Sequence, residues 1–141
     1  MKCDYVRQCA TVCDSMIDIT PVVIGITGGR DYRPTEDELR AFISIAKSLN
    51  ANTIRHVAAR GVDTTASEYA KDHGFALDPV PIDINIDGPS WHYAGNNRNG
   101  RMVNKEPHPV GWVAFPGGTG TEDCIRRAIR KGIKVYYVGR I

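Results

Sequence analysis

The chain has 141 residues, with 18 Lys and Arg against 16 Asp and Glu for a formal charge of +2, and it is 42% hydrophobic and 24% charged. That length suits one domain that buries roughly two-thirds of its unfolded surface, and the composition is that of an ordinary globular protein. So small a charge argues against a nucleic-acid partner, and no apolar run approaches the ~20 residues of a membrane span.

Along the first residues, Tyr5, Val6, Cys9, Val12, Cys13, Met16 and Ile17 recur at helical intervals. This spacing predicts an amphipathic helical extension over residues 1–20, which would cover the sheet or a second subunit, so a homo-oligomer is expected. Asp4, Arg7 and Gln8 stand where a signal peptide needs an unbroken apolar core, and the expected setting is the cytoplasm. Free thiols are the default there. Cys9 and Cys13 are close enough to share a zinc, but no second Cys/His pair follows at finger-like spacing. Neither a metal nor a cofactor is expected.

From Pro21 to Ile141 strand-like and helix-like segments alternate, the pattern of a single Rossmann-like, doubly wound parallel α/β sheet of about five strands. The first strand is Val22 to Thr27, ended by Gly28-Gly29. Thr35 with Glu38 forms a capping box, and Leu39, Phe42, Ile43, Ala46 and Leu49 define the buried face of the helix that follows. A second strand is predicted over Thr53 to Ala58, with Asp63 as cap of a helix that turns Ala66, Tyr69 and Ala70 inward and stops at Gly74. The third strand covers about Ala76 to Ile82, and Asp83 to Tyr93 reads as a long loop, of a kind that is usually functional or mobile. A helix from about Ala94 to Asn104, a strand ending at Phe115, a helix after Thr121 and a last strand from Lys134 to Val138 complete the set.

Ligands of such sheets bind outside the carboxyl ends of the strands, near the topological switch point. Polar clusters do follow each strand: Gly28-Gly29-Arg30-Asp31, Arg60-Gly61-Val62-Asp63, the Trp91 to Arg101 region, and Pro116-Gly117-Gly118-Thr119-Gly120-Thr121. The last is the most informative. A glycine-rich strand-to-helix turn exposes backbone N–H groups at the positive end of the helix dipole, which hold a phosphate without any basic side chain. Its spacing fits neither the P-loop nor the dinucleotide fingerprint.

Together these four blocks resemble the SLOG superfamily, the Rossmann-like group that includes the LOG phosphoribohydrolases and DprA. The likeness is strongest to the YspA-like, cpYpsA-related branch, which is common in bacteria and their phages. It rests on Thr27-Gly28-Gly29-Arg30-Asp31, on His56 to Asp63, on Trp91 with Ala94 to Met102, and on Ala114 to Asp123, and it covers nearly everything from Val22 to Val138. Two departures stand out. Val57-Ala58 replaces a glycine pair usual in the branch, and Cys124 stands where LOG enzymes place the glutamate of PGGxGTxxE. A thiol cannot replace a carboxylate that stabilises oxocarbenium-like charge, and a one-residue shift turns a helical side chain by about 100°, so Asp123 and Glu122 are not automatic substitutes.

The candidate ligand-binding residues are accordingly Gly28, Gly29, Arg30, Arg60, Gly61, Asp63, Trp91, Arg98, Asn99, Arg101, Gly117, Gly118, Thr119, Gly120 and Thr121. Arg98 and Arg101, three apart, would grip an anion as a fork, against the plainer reading of a solvated, salt-bridged face. Asp63 would bind ribose hydroxyls or simply cap its helix, and Trp91 would stack on a base or pack as a lid. The resemblance implies a binder of a nucleotide or nucleotide-derived signal, ADP-ribose-like or cyclic, acting as sensor or sequestering protein. The alternative is a LOG-like N-glycosidase acting on nucleoside 5′-monophosphates, with Arg98 and Asp123 or Glu122 as catalytic groups.

Overall fold

A computed structural model describes residues 20–57, 61–90 and 92–139. The N-terminal extension with Cys3, Cys9 and Cys13, and the candidates Arg60 and Trp91, lie outside the described residues. Five strands alternate with helices in the order β1 (Val23–Thr27), α1 (Glu36–Ser48), β2 (Thr53–His56), α2 (Val62–Asp72), β3 (Ala76–Pro79), α3 (Ile84–Asp87), α4 (Ala94–Asn104), β4 (Gly111–Ala114), α5 (Thr119–Arg130) and β5 (Val135–Tyr137). The strands form one all-parallel sheet in the order β3-β2-β1-β4-β5, with Ile24 beside Ile54 and Ile26 beside Val113. This is the expected Rossmann-like architecture. The order reverses between β1 and β4, which makes that gap the switch point.

Alternation along the strands divides the core in two. Ile24, Ile26, Ile54, Val113 and Phe115 face α1 and α2, meeting Leu39, Phe42, Ile43, Val62, Ala66 and Ala70. Phe42 packs edge-to-face on Phe115 with ring centroids 6.1 Å apart. On the opposite face Trp112 joins Met102 and Val103 of α4 and Cys124 and Ala128 of α5. Gly25 is glycine for a steric reason, since a Cβ there would lie 2.3 Å from the Trp112 ring. The helix pairs thus cover both faces, as the continuous apolar run of β1 requires.

Several boundaries differ from the sequence reading. The capping box is present, with Glu38 N–H donating to Thr35 Oγ1 at 3.1 Å and Thr35 N–H to Glu38 Oε1 at 3.0 Å. Asp63, in contrast, is no cap. Gly61, at φ +85°, occupies that position, because a Cβ there would meet the Arg30 carbonyl oxygen at 2.3 Å. The third strand stops at Pro79, and Pro81 has no N–H with which to extend the ladder. The expected loop holds the one-turn α3, whose first turn Asp83 caps by accepting from Asn85 N–H at 2.9 Å. Finally, α5 begins at Thr119, so the glycine-threonine segment is itself the first helical turn.

One buried side chain went unnoticed in the sequence. Arg55 of β2 is wholly buried under α4, and its guanidinium donates to the carbonyl oxygens of Met102 (2.9 Å), Lys105 (3.0 Å) and Pro107 (3.0 Å) and to Asp78 Oδ2 (2.8 Å). It satisfies the carbonyls that the C-terminal end of α4 leaves over, and it complements the negative end of that helix. Burial pushes the Asp78 carboxyl up, but hydrogen bonds from Lys105 and Arg55 outweigh it and hold the group below its ordinary range. This anchor fixes where the other end of α4 meets the sheet edge.

Candidate functional site

At the carboxyl edge of the sheet a cleft of about 840 Å³ opens over the switch point. Its floor is the end of β1, Thr27 to Gly29, and its walls are the turn after β4 and the first turns of α4 and α5. Gly29 N–H donates to the Pro116 carbonyl at 2.8 Å, and the Gly29 carbonyl accepts from Val62 N–H at 3.2 Å. The loops after β1 and β4 and the start of α2 are therefore joined through backbone. A Cβ on Gly29 would be tight, lying 3.1 Å from both Gly117 Cα and the Pro116 oxygen, so that backbone would have to give by a few tenths of an ångström.

The glycines of the β4–α5 turn fall into two kinds. A Cβ on Gly117 would lie 2.1 Å from Thr121 Oγ1 and 2.7 Å from Gly29 N, so packing alone excludes one. A Cβ on Gly118 or Gly120 would meet nothing within 4 Å, and both residues line the cleft. What these two leave clear is open space in front of a helix start. Gly118 supplies no side-chain cap, and the first intrahelical bond of α5 is Glu122 N–H to the Gly118 carbonyl at 3.0 Å. The N–H groups of Thr119, Gly120 and Thr121 thus lack intrahelical acceptors.

Across the cleft stands the first part of α4, contributing Gly95, Asn96, Arg98 and Asn99. Asn99 is buried and ties the two helices together, its amide donating to the Gly120 carbonyl at 3.3 Å and to Asp123 Oδ2 at 3.1 Å. Arg98 is half-buried, and its Nε donates to Asn99 Oδ1 at 3.2 Å. Among the described residues it has no carboxylate within ion-pair distance. Burial lowers its pKa, against the pull of Asp63. A guanidinium always keeps its charge, so it faces the cleft as a cation. Asp63 is buried in the first turn of α2, where Oδ2 accepts from Val57 N–H at 2.6 Å and lies 3.2 Å from His56 Nδ1. The carboxylate pins the end of β2 while also lining the cleft.

Of the expected residues, Gly28, Gly29, Arg30, Asp63, Arg98, Asn99, Gly117, Gly118, Gly120 and Thr121 come together on this cleft. Gly61 and Thr119 do not line it, although each begins a helix that borders it. Arg101 is directed elsewhere. Its Nε and Nη2 donate to the buried Asp87 at 2.7 and 2.6 Å, and Nη2 also reaches the Pro81 carbonyl at 2.9 Å. The fork of Arg98 and Arg101 is therefore split, one half on the cleft and one half clasping α3 to α4. Arg101 holds the Asp87 carboxyl down to about 2, against burial.

The two candidate carboxylates lie off the cleft lining. Asp123 is buried and accepts from Arg127 Nε at 2.9 Å as well as from Asn99, and Glu122 is exposed. Cys124 is buried beneath the floor, and burial pushes its thiol up to about 12 despite a hydrogen bond with Thr27 and the nearby Arg98. Such a thiol is neither a nucleophile nor a charge stabiliser at neutral pH. Tyr32 and Ile82 also line the cleft and were missed, because lone apolar residues after strands carry no motif, and Val57, noted only for replacing a glycine, lines it as well. Among the described residues no cluster of three or more His, Cys, Asp or Glu could hold a metal, and no helix is long and apolar enough to cross a membrane.

No protein-family model matches the chain, and no curated protein matches it.

Proposed function

We propose that this protein binds a nucleotide or nucleotide-derived signal at the cleft, holding it as a sensor or sequestering protein without turnover. The observation that carries this reading is the uncapped start of α5 at the switch point, with Gly118 and Gly120 leaving open space in front of its N–H groups. A phosphate placed there meets the orphan donors and the positive end of the helix dipole. The Arg98 guanidinium on the facing helix adds a charge-assisted partner. Asp63, on the same lining, offers a carboxylate acceptor of the type that ribose hydroxyls donate to. The SLOG-like motifs of the sequence belong to the same residues, and SLOG membership is part of the proposal.

Binding is favoured over the N-glycosidase reading by the chemistry of α5. Glycosidic cleavage needs a carboxylate near the anomeric carbon. The matching position is the neutral thiol of Cys124, and Asp123 is already engaged by Arg127 and Asn99. The test is to incubate the purified full chain with a panel of nucleotides and analyse bound and released species by mass spectrometry. Intact nucleotide in the bound fraction supports the proposal. Free base in the supernatant overturns it in favour of an enzyme, and an empty bound fraction overturns nucleotide recognition altogether.

A further inference from the structure

The cleft carries two apolar walls on opposite sides of the switch point. The first is Tyr32, whose hydroxyl donates to the Glu38 carboxylate with oxygen distances of 2.9 and 2.8 Å. A Cβ on Gly139, just beyond β5, would lie 3.1 Å from that hydroxyl and 3.2 Å from Pro116. Tyr32 therefore stands at the β4–β5 side of the edge. The second wall is Val57 and Ile82, which follow β2 and β3 at the other side. The anion-binding turn of α5 and the floor at Gly28 lie between them. Tyr32 is tethered through Glu38, which is itself held in the α1 capping box, so a ring resting on it costs little conformational entropy. Ile82, which lines the cleft, is 46% exposed and so offers apolar surface that a bound ring would cover.

We infer that the ligand is two-lobed: two ring systems joined through phosphate, a dinucleotide in chemical class, with one ring on Tyr32 and the other on Val57 and Ile82. This inference rests on the nucleotide-binding proposal and sharpens it. A mononucleotide would leave one apolar wall in water, whereas a dinucleotide covers both while its bridge occupies the α5 turn. The cleft volume of about 840 Å³ leaves room for the larger ligand, being high in the ~300–1,000 Å³ range of small-molecule pockets.

Isothermal titration of the full chain with AMP, with adenylyl-(3′→5′)-adenosine and with the 5′–5′ diphosphate-bridged diadenosine tests it. At least one dinucleotide should bind roughly 10-fold more tightly than AMP, the advantage of one additional stacked base. Tyr32→Leu and Ile82→Ser should each remove most of that advantage, and only one of them should weaken AMP. Tyr32→Phe, which retains the ring, should bind within about 2-fold of wild type and serves as control should Tyr32→Leu unfold. Equal affinity for AMP and both dinucleotides, or dinucleotide binding unmoved by both substitutions, overturns the two-lobed ligand and leaves nucleotide binding intact. Failure of all three probes to bind overturns both.

Discussion

The backbone N–H of Gly29 donates to the carbonyl oxygen of Pro116 at 2.8 Å, which joins the loop after β1 to the turn after β4 across the switch point. That bond brings the chain so close that Gly117 Cα approaches the Gly29 position, and it places the start of α5 at the cleft. Substitutions at neighbouring glycines of the turn should consequently have opposite signatures. Gly117→Ala drives a methyl into Thr121 and the Gly29 backbone, and a loss of stability of roughly 2 kcal/mol or more is expected in thermal melts. A Cβ on Gly118 meets nothing within 4 Å, so the cost of Gly118→Val should stay below about 1 kcal/mol while nucleotide binding is abolished. Undiminished binding by Gly118→Val would place the phosphate elsewhere.

Arg98 contributes charge to the cleft without a carboxylate partner among the described residues. Arg98→Ala should weaken binding of a phosphate-bearing ligand by at least ~1.5 kcal/mol, or roughly 10-fold, with the melting temperature little changed. Arg101→Ala should behave in the reverse way, since its partner is Asp87 and not the ligand. Titration calorimetry and thermal melts on the two variants separate these outcomes.

Acid should reveal the Arg101–Asp87 clasp. The Asp87 carboxyl is lowered from 3.8 to about 2 by Arg101, so its stabilisation is fully present above the unfolded value and is lost as pH falls through the folded one. The shift corresponds to about 2 kcal/mol. Urea unfolding from pH 5 to pH 2 should show that loss in the wild type, and in Asp87→Asn the pH dependence should be shallower by about the same amount. An identical slope in both proteins would show that the clasp does not contribute.

Base release from nucleoside monophosphates should be absent or very slow. Cys124→Ser should leave binding nearly unchanged, because the thiol packs under the floor and does not react. Iodoacetamide labelling mapped by mass spectrometry should find Cys124 protected in the folded protein and modified after unfolding. Rapid base release by the wild type, lost in Asp123→Asn, would show that a carboxylate role has moved along α5.

What the sequence determined by itself was local and periodic. The parallel α/β architecture was legible because each apolar run is separated from the next by a helical pattern, and the Thr35–Glu38 box marked the start of α1 because capping acts over three residues. Every polar cluster after a strand was legible for the same reason, and most of its members reach the cleft. Only the tertiary structure decided which side chain serves what. Arg98 and Arg101 share a helix and a spacing, yet the buried Asp87 draws one of them away. Asp63 has the residue type of a cap, yet the approach of Gly61 to the Arg30 carbonyl moves the cap position and turns the carboxylate to Val57 N–H. Gly117 and Gly118 are identical in the sequence, and only the presence of Thr121 beside one and open space beside the other separates a glycine fixed by packing from one that leaves the helix start open. Tyr32 and Ile82 meet on one cleft through the strand order, a relation between residues 50 positions apart that no local pattern encodes.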